Sequence, residues 1–178
     1  MNIGEAHAGR SPDSLRATLG SCVGIAMHWS AGEIFGLAHA LLPERSSGDG
    51  RHGFSARYAD VAVTLLLRRM RVRADRQAEV QAMVLGGANM FRAKASRMAV
   101  DVGGRNVEVA TFMLERLGIQ IVGADVGGKR ARSIAIDCST GRLVSSYVPP
   151  LGSQLPRRVG LDAMFSTDSG RLASTCKP

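Results

Sequence analysis

The 178-residue chain predicts an α/β fold, a sandwich of mixed or antiparallel sheet with flanking helices. Three observations carry this expectation. Two short apolar runs near the start, SCVGIAMHW (21–29) and EIFGLAHALL (33–42), are separated by Ser-Ala-Gly and read as a hairpin of buried strands. Two longer stretches, 57–72 and 103–118, read as helices. Three further strand-like runs, IQIVGADV, RSIAIDC and RLVSSYV, close the pattern.

Each element has a local reason. In an antiparallel hairpin turning near Ser30–Gly32, the start of one strand lies beside the end of the next, which brings Cys22 and His39 together. PERSSGDGRHGFS (43–55) is polar and glycine-rich and reads as a loop. RYADVAVTLLLRRMRV (57–72) contains no Gly or Pro and carries arginines in its last turns, where they complement the helix dipole. EVQAMVL (79–85) reads as a strand ended by Gly86–Gly87. In GGRNVEVATFMLERLG (103–118), Val107, Ala110, Met113, Leu114 and Leu117 recur at helical spacing, and Gly118 is a stop signal. The second and third of the closing strands are joined by Ser-Thr-Gly. Residues 1–148 are expected to form one domain, and 149–178, with its early prolines, Gly and Ser, a loosely held C-terminal tail.

Composition narrows the function classes. Hydrophobic residues make up 45% and charged residues 21%, a globular balance. Charge, His or Gly interrupts every apolar run well before ~18 residues, so no membrane insertion is expected. MNIGEAHAGR lacks the features of a secretory signal, so a cytoplasmic location is expected. Cys22, Cys138 and Cys176 are odd in number and unrelated in spacing, which argues against a disulfide framework or a structural metal. The net charge of +8 favours an acidic partner. Its arginines are scattered and aromatics are only 4%, however, so nucleic acid is not expected to be that partner. Neither GxxxxGK[ST] nor a strand-to-helix GxGxxG is present, which argues against nucleotide binding.

Cys22 and His39 are the candidate reactive pair. A thiolate attacks carbonyl carbon, while an imidazole takes the thiol proton and returns it to a leaving group. Gly20 and Ser21 allow a tight backbone turn that aims N–H groups at an oxyanion. From these residues alone a second reading stays open: a buried thiol and a hydrogen-bonded histidine that serve only the core. His28 and Cys138 read as packing or bystander residues.

TLGSCVGIAM, GLAHALLPE, RYADVAV, GGANMF, GGRNVE and ADVGGKRARSI followed by STGRL, in this order, resemble the chemoreceptor glutamine deamidase family CheD of bacterial and archaeal chemotaxis. The resemblance runs from about Ile3 to Val148. It implies an α/β sandwich with a site similar to that of toxin glutamine deamidases, and no cofactor or metal. Carried over by motif, it implies Cys22 as nucleophile, His39 as general base and acid, and Thr18 as a support for the histidine, with Ser21 as a local polar partner. The implied substrate is a glutamine on a methyl-accepting chemotaxis receptor, with receptor methyl esters as a second use of the same acyl-enzyme. Gly86, Gly87, Asn89, Met90 and Phe91 of GGANMF, and the basic GGKRAR (127–132), are expected on the substrate-binding rim, with turn formation and packing as the alternative. The resemblance also implies the phosphatase CheC as a partner of some members, and leaves a non-catalytic regulatory binder as the alternative function.

Overall fold

The computed structural model describes residues 1–45, 55–90, 101–149 and 159–165. Among the described residues nine strands and two α-helices follow in the order β1 (Ala6–Gly9), β2 (Ser14–Leu19), β3 (Val23–Trp29), β4 (Ile34–Ala40), α1 (Ala59–Arg69), β5 (Val80–Gly86), α2 (Val102–Arg116), β6 (Gln120–Val126), β7 (Arg132–Asp137), β8 (Arg142–Tyr147) and β9 (Val159–Met164). They form two sheets, one ordered β1-β4-β3-β5-β6 and the other β2-β7-β8-β9. The second sheet is antiparallel throughout. In the first, β5 and β6 alone run parallel, and α2 lies in the crossover between them.

The apolar runs of β3 and β4 reflect burial on both faces. One face carries Val23, Ile25, Met27, Ala38 and Ala40 against Leu66 and Met70 of the α1 region and Ala110 and Leu114 of α2. The other carries Ala26, Phe35 and Leu37 against Leu15, Ala17 and Leu19 of β2 and Ile134 and Ile136 of β7. The result is three layers, helices on sheet on sheet.

The helices end as their sequences direct. α1 has Asp60 in its first turn and Arg68 and Arg69 in its last. The side chain of Asp101 caps α2 by accepting the Gly104 N–H at 3.1 Å. At the other end Gly118 adopts φ 69°, the Gly118 N–H bonds the Glu115 carbonyl and the Ile119 N–H bonds the Leu114 carbonyl, each at 3.0 Å. That pair of bonds satisfies carbonyls the helix would otherwise leave open.

Three strands were not among the elements expected from sequence. β1 is short and built of Ala, His and Gly, residues with little strand preference. β2 pairs with β7, far along the chain. β9 lies within the segment read as tail. It pairs with β8, and Phe165 just after it is buried against the second core.

Candidate active site

Cys22 sits in the bend between β2 and β3, and His39 lies near the end of β4. In the β3–β4 pairing Gly24 is opposite His39 and Val23 is opposite Ala40. Directly opposed residues share a sheet face, so His39 shares the face of Gly24. That face looks toward the second sheet, since a Cβ on Gly24 would come within 2.7 Å of Leu19 and 3.2 Å of Ile134. Cys22 packs into the same inter-sheet cluster. It lies one step beyond the Val23–Ala40 pair, at the strand end where His39 also sits. Gly24 places no side chain between them.

The bend is held from behind through its carbonyls. The Gly87 N–H donates to Cys22 O at 2.7 Å and the Ala88 N–H to Gly20 O at 2.8 Å. Between them, the Asn106 side-chain amide donates to Ser21 O at 2.9 Å. This close approach depends on glycine. Gly86 has φ 99°, and a Cβ there would lie 2.3 Å from the Cys22 carbonyl oxygen; a Cβ on Gly103 would lie 2.5 Å from the Gly87 oxygen. The GG pairs at 86–87 and 103–104 thus let the end of β5 and the first turn of α2 press against the cysteine bend.

Cys22 and His39 are 6% and 3% exposed. Burial pushes the Cys22 thiol up and its own backbone N–H partly offsets this. Burial pushes the His39 imidazole down, the Met1 ammonium adds to that, and the Met1 backbone and Glu5 oppose it. Both groups are therefore held neutral at pH 7. Neither ring nitrogen of His39 makes a hydrogen bond of good geometry among the described residues; the Met1 backbone acts on the ring without meeting that geometry. An imidazole with both nitrogens open, on the sheet face toward which Cys22 also packs, has the chemistry to accept and return a proton.

Comparison with known proteins bears on what such a pair does. Residues 41–146, more than half of the chain, match the family model described as CheD, chemotactic sensory transduction. The chain belongs to the CheD family. A Thermococcus kodakarensis protein named "Probable chemoreceptor glutamine deamidase CheD" is 42% identical over 125 residues, covering 70% of this chain and 76% of the relative. Relatives of the same name from Methanococcus vannielii and Clostridium botulinum (strain Hall) are 34% and 31% identical. The first match covers 80% of this chain and 90% of the relative, and the second 85% and 92%. The α/β architecture expected from the CheD resemblance agrees with the two sheets and flanking helices seen here. The family-model match begins beyond both Cys22 and His39, so their roles are argued from geometry.

The remaining expected site residues divide. Thr18 does not join the pair. It lies on β2 opposite Ser133 with its side chain exposed, because strand alternation turns Ala17 and Leu19 inward and Thr18 outward. Gly86 and Gly87 are buried behind Cys22, where they shape the bend and have no surface for a substrate. Ser21 is half-buried and its carbonyl is taken by Asn106. Asn89 and Met90 are exposed, and a Cβ on Gly20 would touch the Met90 sulfur at 2.6 Å, so Met90 lies directly on the bend. Phe91 lies outside the described residues.

The basic GGKRAR segment also splits. Lys129 and Arg130 are exposed, but Arg132 is buried at 1%. Its guanidinium donates to the carbonyls of Gly86 (3.1 Å), Gly127 (2.6 Å) and Asp125, and lies 3.4 Å from the Asp125 carboxylate. It is a clamp on the β5 end, not a docking charge. Cys138 is at the far end of β7, where burial, Asp13 and Asp137 push its thiol up to about 11. His28 is buried and stacks on Phe35 with ring centres 4.3 Å apart. No three His, Cys, Asp or Glu side chains come together as a metal-ligand set among the described residues.

Asn106 was not singled out from sequence. Its signal is an Asn on the buried stripe of α2, in step with Val109, Ala110 and Leu114. Polar residues on such a stripe call for a partner, which only the fold supplies.

Proposed function

We propose that this chain deamidates glutamine side chains of chemoreceptors, with Cys22 as nucleophile and His39 as general base and acid. The observation that carries the reading is the β3–β4 register, with Gly24 opposite His39, which sets the thiol and an unengaged imidazole on one face at adjacent strand ends. The names of the relatives support the substrate class.

The steps follow from the chemistry of the pair. His39 takes the Cys22 proton as the sulfur attacks the side-chain amide carbon. The carbonyl oxygen becomes an oxyanion, for which the backbone N–H groups of Ser21 and Cys22 are the proposed donors. Collapse breaks the C–N bond, and protonated His39 delivers its proton to nitrogen, which leaves as ammonia. The thioester remains. His39 then deprotonates a water that attacks the thioester carbon, and the departing sulfur recovers the proton from His39. The receptor is left with glutamate. The same acyl-enzyme would form from a glutamate methyl ester with methanol as leaving group.

A receptor helix approaches from outside, so Met90 and Asn89 are the proposed rim, and the net charge of +8 favours an acidic receptor segment. No helix among the described residues is long and apolar enough to cross a membrane; the cytoplasm is the proposed location. Association with a CheC phosphatase is a separate proposal, tested by co-purification. The main test incubates the parent and Cys22→Ala with the cytoplasmic fragment of a chemoreceptor from the same cell and maps glutamine-to-glutamate conversion by peptide mass spectrometry. Conversion by the parent alone is expected. Conversion by both overturns the nucleophile assignment, and by neither the activity.

A further inference from the structure

Asn106 is fully buried in α2, and both hydrogens of its side-chain amide are committed. Nδ2 donates to the carbonyl of Ser21 and to that of Leu41, each at 2.9 Å. Ser21 immediately precedes Cys22, and Leu41 lies two residues beyond His39. One planar amide thus ties the bend that carries the thiol to the strand end that carries the imidazole. The helix can come this close because Gly103, one turn earlier, puts no side chain against Gly87.

Two details argue that this side chain serves more than the core. First, Asn106 Oδ1 has no hydrogen-bond partner among the described residues. A buried unpaired oxygen is costly, and the position carries it together with the two carbonyls the amide satisfies. Second, the Ser21 carbonyl and the Cys22 N–H belong to one peptide group. A hydrogen bond received at that oxygen polarises the peptide and makes the N–H a stronger donor.

We propose that Asn106 is a positioning residue for the reaction at Cys22. It fixes the spacing of thiol and imidazole and strengthens the Cys22 N–H toward the oxyanion, without touching substrate. The proposal rests on Cys22 being the nucleophile. Its predicted signature is a loss in kcat with KM preserved, because the receptor surface is untouched while the transition state is less well served.

The test uses the full chain carrying Asn106→Leu, which keeps bulk and removes both donors, or Asn106→Ser, which keeps one short donor. Leu114→Ala, on the buried stripe of the same helix, serves as a stability control, and Cys22→Ala as the reference for the underlying reading. Each is assayed on a purified chemoreceptor cytoplasmic fragment for kcat and KM, with thermal midpoints and the peptide-resolved rate of Cys22 alkylation by iodoacetamide. Expected are a roughly 10–100-fold fall in kcat for Asn106→Leu, the scale of a small misplacement of reacting groups, a smaller fall for Asn106→Ser, and parental kcat per folded molecule for Leu114→Ala. Parental kcat in both Asn106 variants overturns the proposal. So does a Leu114→Ala protein that loses as much kcat as Asn106→Leu at the same loss in midpoint, since the role is then structural only. If Asn106→Leu does not fold, Asn106→Ser decides: a several-fold fall in kcat with unchanged KM supports the proposal and parental kcat overturns it. Deamidation by Cys22→Ala is a distinct result, which removes the nucleophile assignment beneath it.

Discussion

Two buried polar centres, Arg132 against the end of β5 and His39 on β4, are provided for in opposite ways. Arg132 has carbonyls of Gly86, Asp125 and Gly127 and the Asp125 carboxylate around it, and only its Nε lacks a partner among the described residues. His39 is nearly as buried, and neither of its nitrogens makes a hydrogen bond of good geometry among the described residues. The first pattern is what burial of a charge requires if the fold is not to lose by it. The second costs stability, and it leaves an imidazole whose nitrogens are open to a proton. The contrast is between an ion the fold surrounds with acceptors and an imidazole it leaves without one among the described residues.

Removing the nucleophile has the largest expected effect. Cys22→Ala lowers deamidation by more than about a thousand-fold, while the thermal midpoint barely moves, because a small buried side chain replaces another. Loss of the fold in this variant would make Cys22 a core residue like any other. On the structural side, Arg132→Met leaves the Asp125 carboxylate, 12% exposed, without its cation, and is expected to cost about 3–5 kcal/mol in denaturant unfolding. A loss below 1 kcal/mol would mean that water reaches Asp125 and the two centres differ less than they appear.

Gly86→Ala strikes both centres at once. It strains a φ of 99° and drives a methyl toward the Cys22 carbonyl, for roughly 1–3 kcal/mol of stability and a clear fall in the alkylation rate of Cys22. Unchanged alkylation would show the bend to be set by something other than β5. The pH dependence is gentler. With His39 pushed down and Cys22 pushed up, the neutral pair persists over a wider range than free imidazole and thiol would allow, so the pH–rate plateau extends below the ordinary histidine range and above the ordinary cysteine range. The stability signs follow. The folded state binds the His39 proton more weakly than the unfolded chain, so stability is lost as pH falls through the ordinary imidazole range toward the depressed folded value. It releases the Cys22 proton less readily, so stability is also lost as pH rises through the ordinary thiol range. A narrow bell centred near neutrality contradicts both shifts. Smallest of all, Thr18→Val on the outward face of β2 should leave kcat unchanged and stability within about 0.5 kcal/mol; a large fall in kcat would bring Thr18 back to His39.

Much of the fold was open to reading because its signals are local. The hairpin of 21–42, the helices ended by arginines and by Gly118, and the three late strands each carry their own pattern. β2 has a local signal too, the alternation of Leu15, Ala17 and Leu19, but it becomes a strand only through pairing with Arg132–Asp137. Val159–Met164 carries a similar alternation in Val159, Leu161 and Ala163, but Gly160 and Asp162 between them are poor strand formers, and the segment is ordered by β8.

By itself, the sequence determined the β3–β4 hairpin, because two apolar runs and a short turn fix an antiparallel register with few alternatives. Roles that depend on segments remote in the chain were decided by tertiary structure alone. The glycines of 86–87 became supports for a carbonyl, Arg132 became an internal clamp, and Thr18 turned outward. Asn106 reached across from α2 to Ser21 and Leu41. Hydrogen-bond partners distant in sequence leave no trace in local periodicity, whereas strand register within a hairpin does.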